Sequence, residues 1–150
     1  MAEDVMKTTE LTDRVMVAPQ IAATDFAALA AAGVRTVINN RPDGEDPGQL
    51  SSAQTARLAA EAGIAYRHIP VTAATLSDEA VAAFRQEVEA APGKVVAYCR
   101  TGTRSMTLWA LGEILTGELT RDEAIAMGRA NGFDLTGGLA WLDRRGEPAR

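Results

Sequence analysis

Three glycines, Gly33, Gly63 and Gly93, stand thirty residues apart, each between the end of an alanine-rich stretch and the start of an apolar run. A glycine in that place supplies the left-handed residue that ends a helix. Helix, glycine, strand, three times over, is the pattern of parallel βα units. The chain is therefore expected to fold as α/β, with a central, mainly parallel sheet flanked by helices on both faces. No sequence repeat underlies the spacing.

The remaining elements fit that frame. Residues 14–18 read as a first strand, 24–32 as a helix, 35–39 as a strand of β-branched residues, and 40–50 as an exposed Pro/Gly/Asp loop. A helix follows over 52–62, a strand over 65–71, and a helix over 77–90 with Ser77 as its N-cap. Residues 94–98 form the next strand and 104–115 a helix closed by Gly117. Thr120 and Glu123 have capping-box spacing at the head of a helix over 120–131. A last helix covers 135–145, with Leu139 and Leu142 on one side. Residues 1–10 and 146–150 are expected to fray. With no linker or low-complexity segment, residues 1–150 are expected to form one domain.

Composition narrows the function classes. The net charge is −5 and the lysines are only Lys7 and Lys94, so no basic face is available for nucleic acid. No apolar run is long enough to span a membrane, and the acidic, polar start of the chain lacks a signal-peptide pattern. A lone cysteine excludes an internal disulfide framework. The expected location is the cytoplasm. One histidine and one cysteine do not suffice for a zinc site, and nothing calls for another metal or a cofactor.

The run Val95-Val96-Ala97-Tyr98-Cys99-Arg100-Thr101-Gly102-Thr103-Arg104-Ser105 carries the chemistry. A buried strand delivers the chain to Cys99, a short loop follows, and a helix starts near Arg104. Backbone N–H groups of such a loop converge on one point, and the helix adds unpaired N–H groups and its positive dipole end. Gly102 permits a loop conformation that a side chain would obstruct. Arg104 brings a planar guanidinium suited to an oxyanion. A thiol in this field loses its proton readily, and the thiolate is a nucleophile. Cys99 and Arg104 are thus the expected catalytic pair. Arg100, Thr101, Gly102 and Thr103 are the expected binding residues for a small anionic substrate, and Arg100 would also attract it by charge. The plain alternative is a buried core cysteine, which leaves Gly102, Arg104 and Ser105 at their set offsets unexplained.

This strand–Cys–loop–Arg–helix layout resembles that of protein tyrosine and dual-specificity phosphatases. Thr36-Val37-Ile38-Asn39-Asn40-Arg41 and His68-Ile69-Pro70-Val71 look like two further strands of that scaffold. From Leu11 to about Leu142 the chain resembles a bacterial family, the phosphatase-like domain called beta-lactamase-hydrolase-like, also known as DUF442. Val17-Ala18-Pro19-Gln20, Asn39-Asn40-Arg41-Pro42-Asp43-Gly44-Glu45 and Tyr98-Cys99-Arg100-Thr101-Gly102-Thr103-Arg104-Ser105 carry the match. The resemblance implies a phosphatase-like fold. It also implies sulfur metabolism, with a persulfide dioxygenase or sulfide:quinone oxidoreductase as partner, since family members occur fused to such domains.

Three departures from the phosphatase pattern direct the functional expectation. Those phosphatases place five residues between Cys and Arg, whereas four lie between Cys99 and Arg104, a loop similar to that of rhodaneses. Thr72-Ala73-Ala74-Thr75 stands where dual-specificity phosphatases carry an acid, and Tyr98 where a histidine usually precedes the cysteine. Sulfite leaves without a proton donor; an alkoxide does not. The expectation is a rhodanese-type sulfurtransferase. Cys99 would take sulfane sulfur from thiosulfate or glutathione persulfide as a Cys99 persulfide, then pass it to a thiol or cyanide. The rhodanese fold's own upstream motifs are absent, so the scaffold reads as phosphatase-like. The alternatives are a cysteine-dependent phosphatase acting through a phosphocysteine, with Asp43 or Asp78 as its acid, and a non-enzymatic anion-binding module.

Other residues carry paired readings. Arg41 could line the rim of the site, as loops at strand C-termini do, or be fixed in a surface loop by Asp43. Ser105 is counted with the catalytic residues, its hydroxyl bonding the Cys99 sulfur as the resemblance implies; the alternative is a plain first-turn residue. His68 is read as structural, its ring bonded to backbone. Trp109 and Trp141 are read as core.

Overall fold

The computed structural model describes residues 7–145. Its elements are β1 (Thr9–Glu10), β2 (Val15–Ala18), α1 (Asp25–Ala31), β3 (Val34–Asn39), α2 (Ser52–Glu61), β4 (Ala65–His68), α3 (Asp78–Ala90), β5 (Lys94–Tyr98), α4 (Thr103–Leu115), α5 (Arg121–Ala130), α6 (Thr136–Leu139) and α7 (Trp141–Arg144). The sheet order is β1-β2-β5-β3-β4. β2, β5, β3 and β4 run parallel, and β1 closes one edge antiparallel to β2. The α/β fold with a central, mostly parallel sheet is therefore as expected.

Side chains alternate across the sheet, as the strand period of two requires. Val15, Val17, Val95 and Ala97 face a core built with α3, α4, α5 and α6. Ala18, Val96 and Tyr98 face a second core against α1 and α2. Helix α4 is wrapped by protein, and eight consecutive residues from Ser105 to Gly112 are buried. A helix with no polar face belongs in an interior. It carries the end of the Cys99 loop into the middle of the molecule.

Four sequence expectations need correction. Glycine ends α1 and α2 as expected, Gly33 and Gly63 having φ of +92° and +75°. Gly93 does not have a positive φ; α3 instead ends at Ala91 in an extended conformation, before Pro92. Gly93 is needed for space, since a Cβ there would lie 2.8 Å from the Arg35 Cγ. The strand expected over 65–71 stops at His68, because Pro70 has no N–H for the ladder; Ile69 and Val71 still donate to the Asn39 and Asn40 carbonyls. The last helix is two short ones, α6 and α7, meeting at Ala140. Gly137 and Gly138 weaken it, and Gly138 sits so close to Thr107 that a Cβ would come within 2.5 Å of its methyl. Finally, Thr9 and Glu10 do not fray: they pair with Val17 and Met16. Residues 1–6 and 146–150 lie outside the described residues.

β2, β3, β4 and β5 all point their C-terminal ends the same way. β5 lies between β2 and β3, where chain crossovers run in opposite directions. Open α/β sheets place ligand sites in the crevice outside such a switch point. Cys99 is the first residue past β5, at that crevice.

Candidate active site

Cys99 is fully buried at the mouth of β5, its N–H donating to the Ala18 carbonyl at 3.3 Å. Three residues later the Gly102 N–H turns back onto the Cys99 sulfur at 3.1 Å. The loop closes this tightly because Gly102 has φ +100°, and because a Cβ there would press within 3.1 Å of the Phe133 ring. Helix α4 begins at Thr103, and its first intrahelical bond runs from Met106 N–H to the Gly102 carbonyl at 3.0 Å. The N–H groups of the first turn, Thr103 to Ser105, have no helical carbonyl to bond; that of Thr103 donates to Thr101 Oγ1 at 3.4 Å.

Arg104 stands on the first turn of α4. Its Nη1 donates to Glu45 Oε2 (2.8 Å) and to the Val71 carbonyl (2.9 Å), and its Nη2 donates to Glu45 Oε1 (2.9 Å). A guanidinium has five N–H bonds. Those three contacts leave the Nε–H and one Nη2–H, which lie side by side as a second fork. Glu45 holds Arg104 charged more firmly than a free arginine, against the pull of burial, and the nearby Cys99 adds to the effect.

Glu45 is the residue that the sequence reading missed. It comes from the loop after β3 and is shared by two arginines, with Arg41 Nε donating to its Oε1 at 2.8 Å. The Arg104 bonds, joined by Arg41 and opposed by burial, bring its carboxyl down from 4.5 to about 2. A carboxylate in that state accepts hydrogen bonds and holds no proton to give. The available signal was the Arg41–Glu45 spacing of four inside a motif otherwise made of turn residues.

Arg41 takes neither of its expected roles. Its side chain is 3% exposed, and its guanidinium is bonded to Glu45, Asp46 and Gln20 Oε1. Burial lowers its basicity, but the bonds from Glu45 and Asp46 outweigh this. Buried in this way, it braces the loop from inside and does not reach the rim. Asp43 does not pair with it either; Asp43 Oδ1 accepts the Ser52 N–H at the start of α2. Residues 40 and 41 of the expected exposed loop are in fact buried.

Ser105 donates its hydroxyl proton to Asn40 Oδ1 at 2.7 Å, not to the Cys99 sulfur. Asn40 Nδ2 donates in turn to the Ile69 carbonyl at 2.8 Å, which sets the orientation of the amide. Both side chains are fully buried. This chain ties α4, β3 and the segment after β4 together directly beneath the loop.

Arg100 is 62% exposed and lies 3.4 Å from Asp46, at the entrance. The Thr101 and Thr103 hydroxyls bond each other at 3.1 Å, which stiffens the loop. The His68 ring bonds the Arg41 carbonyl at 2.8 Å, as its structural reading required. Trp109 is buried and Trp141 partly so. Tyr98 is buried, which raises its phenol well above the usual range. Asp78 pairs with Arg145 at 2.6 Å. Among the described residues, no group of three or more His, Cys, Asp or Glu is placed to hold a metal ion. No described helix is long and apolar enough to cross a membrane.

Comparison with known proteins places this arrangement. The family described as "Beta-lactamase hydrolase-like protein, phosphatase-like domain" matches residues 7–116. A beta-lactamase hydrolase-like protein of Agrobacterium fabrum is 40% identical over 140 residues, which are 93% of this chain and 32% of that protein. The chain thus spans about a third of the length of the curated relatives it matches. Among solved structures, a Neisseria meningitidis protein assigned as a candidate phosphatase has a TM-score of 0.79 at 35% identity, covering 96% of this chain and 98% of that one. TpbA of P. aeruginosa, solved with phosphotyrosine, has a TM-score of 0.72 at 18% identity over 94% of this chain and 85% of its own; it shares the fold.

These findings overturn the sulfurtransferase expectation, and they lend no support to the sulfur-metabolism partners. The match is to a phosphatase-like domain, and the similar structure at 35% identity is named a candidate phosphatase. Counting residues between Cys99 and Arg104 misled because the count does not set the geometry. With Gly102 at positive φ, the helix starts at once, and Glu45, from a distant loop, fixes where the arginine points.

Proposed function

The chain belongs to the beta-lactamase hydrolase-like phosphatase-like domain family, and from that premise we propose that it is a cysteine-dependent phosphatase. The observation that carries the proposal is the pairing of two features. The Gly102 N–H meets the Cys99 sulfur at 3.1 Å, and Arg104 is clamped by Glu45 so that a second two-donor edge remains beside it. That edge matches two oxygens of a phosphoryl group.

In this mechanism the Cys99 thiolate attacks phosphorus. The S–P bond forms as the P–O bond to the leaving group breaks. The loop N–H groups and Arg104 hold the three phosphoryl oxygens, where charge collects in the transition state. Water then attacks the phosphocysteine, the S–P bond breaks with its electrons returning to sulfur, and dihydrogen phosphate departs. Ser105 acts through Asn40 as a positioning residue for the loop. Arg100 draws the dianion in, and the backbone of Thr101, Gly102 and Thr103 lines the cradle.

The test is steady-state turnover of 4-nitrophenyl phosphate by wild type, Cys99→Ser and Arg104→Lys. Cys99→Ser is expected to lose at least about 10³-fold in kcat while still binding orthovanadate. Arg104→Lys, which keeps the charge and loses the fork, is expected to lose about 10²–10³-fold. Turnover that survives Cys99→Ser refutes the proposal.

A further inference from the structure

On the phosphatase reading above, we infer that the natural substrates are phosphate esters of acidic aromatic or enolic hydroxyls, whose oxygen leaves as an anion without a proton from the enzyme. Two independent features carry this.

The first is the state of the carboxylates around the cradle. Glu45 is held ionised between Arg104 and Arg41. Asp46 sits between Arg41 and Arg100. Asp43 accepts the Ser52 N–H, and Asp134 accepts both the N–H and the hydroxyl of Thr136 at the head of α6. Each of these groups serves as an acceptor. The segment after β4 that borders Arg104 offers only hydroxyls: Thr75 Oγ1 takes the Thr72 N–H at 2.8 Å, and the two threonine hydroxyls bond each other at 3.2 Å. An alkoxide leaving group needs a proton as its bond breaks, and a general acid supplies about 10²–10⁴-fold in rate. A stable aryloxide or enolate needs none.

The second is the space next to Arg104. A cavity of about 150 Å³ opens there, walled by Val71, Thr72, Ala73, Leu76, Thr107 and Gly138, with Arg104 its one charged lining residue. A cavity of roughly that size is large enough to accept a benzene ring. Its threonine hydroxyls at 72 and 107 are already bonded within the protein, and its Val71, Ala73 and Leu76 side chains suit a flat apolar group attached to a phosphate lying on Arg104.

The step balances without a donor. The ester dianion and the thiolate give the aryloxide and the phosphocysteine dianion; water then returns the thiolate and dihydrogen phosphate. The experiment is a leaving-group series on the full chain: kcat/KM for 4-nitrophenyl phosphate, phenyl phosphate and phosphotyrosine, with acetyl phosphate as a substrate that has a good leaving group and no ring. Phenyl phosphate and phosphotyrosine are expected to fall about 10²–10⁴-fold below 4-nitrophenyl phosphate. Acetyl phosphate is expected to show a KM at least about tenfold higher, for want of a buried ring. Comparable rates along the aryl series overturn the inference and leave the phosphatase reading standing. So does a loss confined to phenyl phosphate in Asp43→Asn, Asp46→Asn or Asp134→Asn, which would identify that residue as the acid. An equal KM for acetyl phosphate overturns the assignment of the cavity. No Cys99-dependent turnover of any ester overturns the phosphatase reading itself.

Discussion

Glu45→Gln separates the charge of the clamp from its shape, since glutamine keeps the length and one acceptor oxygen. In the folded protein the Glu45 carboxyl falls from 4.5 to about 2 under the two arginines. At about 1.4 kcal/mol per tenfold change, that corresponds to about 3 kcal/mol favouring the ionised, folded state. A quarter of the side chain is in water, 24% by surface, and screening brings the expected loss to about 2 kcal/mol. The sign follows from the direction. The folded value lies below the unfolded one, so the native state binds fewer protons between them. The stabilisation is complete above about 4.5 and is lost as pH falls through about 2. Urea unfolding followed by tryptophan fluorescence is therefore expected to show Glu45→Gln weaker than wild type by about 2 kcal/mol at pH 7, with the gap mostly closed near the acid limit. Because Arg104 would also lose its aim, kcat/KM on 4-nitrophenyl phosphate is expected to drop about 10–100-fold. A variant with wild-type stability and kinetics at pH 7, or a stability gap of equal size at both pH values, refutes this account of the clamp.

Two other substitutions test the loop from below. Gly102→Ala must adopt φ near +100° and push its Cβ against the Phe133 ring, so thermal or urea unfolding is expected to show a loss of about 1–2 kcal/mol; turnover should fall with it as the N–H swings off the Cys99 sulfur. Asn40→Ala leaves the buried Ser105 hydroxyl and Ile69 carbonyl without their partner, an expected cost of about 1–3 kcal/mol in urea unfolding. Its kcat should fall more than its KM rises, because Asn40 braces the first turn of α4 through Ser105 and takes no part in holding the substrate.

The division between what local sequence could settle and what it could not is visible residue by residue. Ser77, and the Thr120–Glu123 pair, could be read as helix starts because a cap is a contact over three residues, and the structure has both. Gly33 and Gly63 could be read as helix stops for the same reason. Gly93 looked identical, but its small size answers to Arg35, on a strand 58 positions earlier. The β5–loop–α4 unit was legible too, because Cys99, Gly102 and Arg104 lie within one turn of chain.

What the loop does depends on partners far away. Glu45 reaches Arg104 across 59 positions, Asn40 reaches Ser105 across 65, and Val71 reaches Arg104 across 33. Arg41 looked like a surface cation and is an internal brace. Local patterns sufficed for the α/β layering and for the strand–loop–helix unit that carries Cys99, since hydrophobic periodicity, caps and turns act between near neighbours. Only the tertiary arrangement sets how Arg104 is aimed and which donors the surrounding carboxylates accept from. Those properties arise where the C-terminal ends of four parallel strands converge, and electrostatic coupling depends on distance in space, not along the chain.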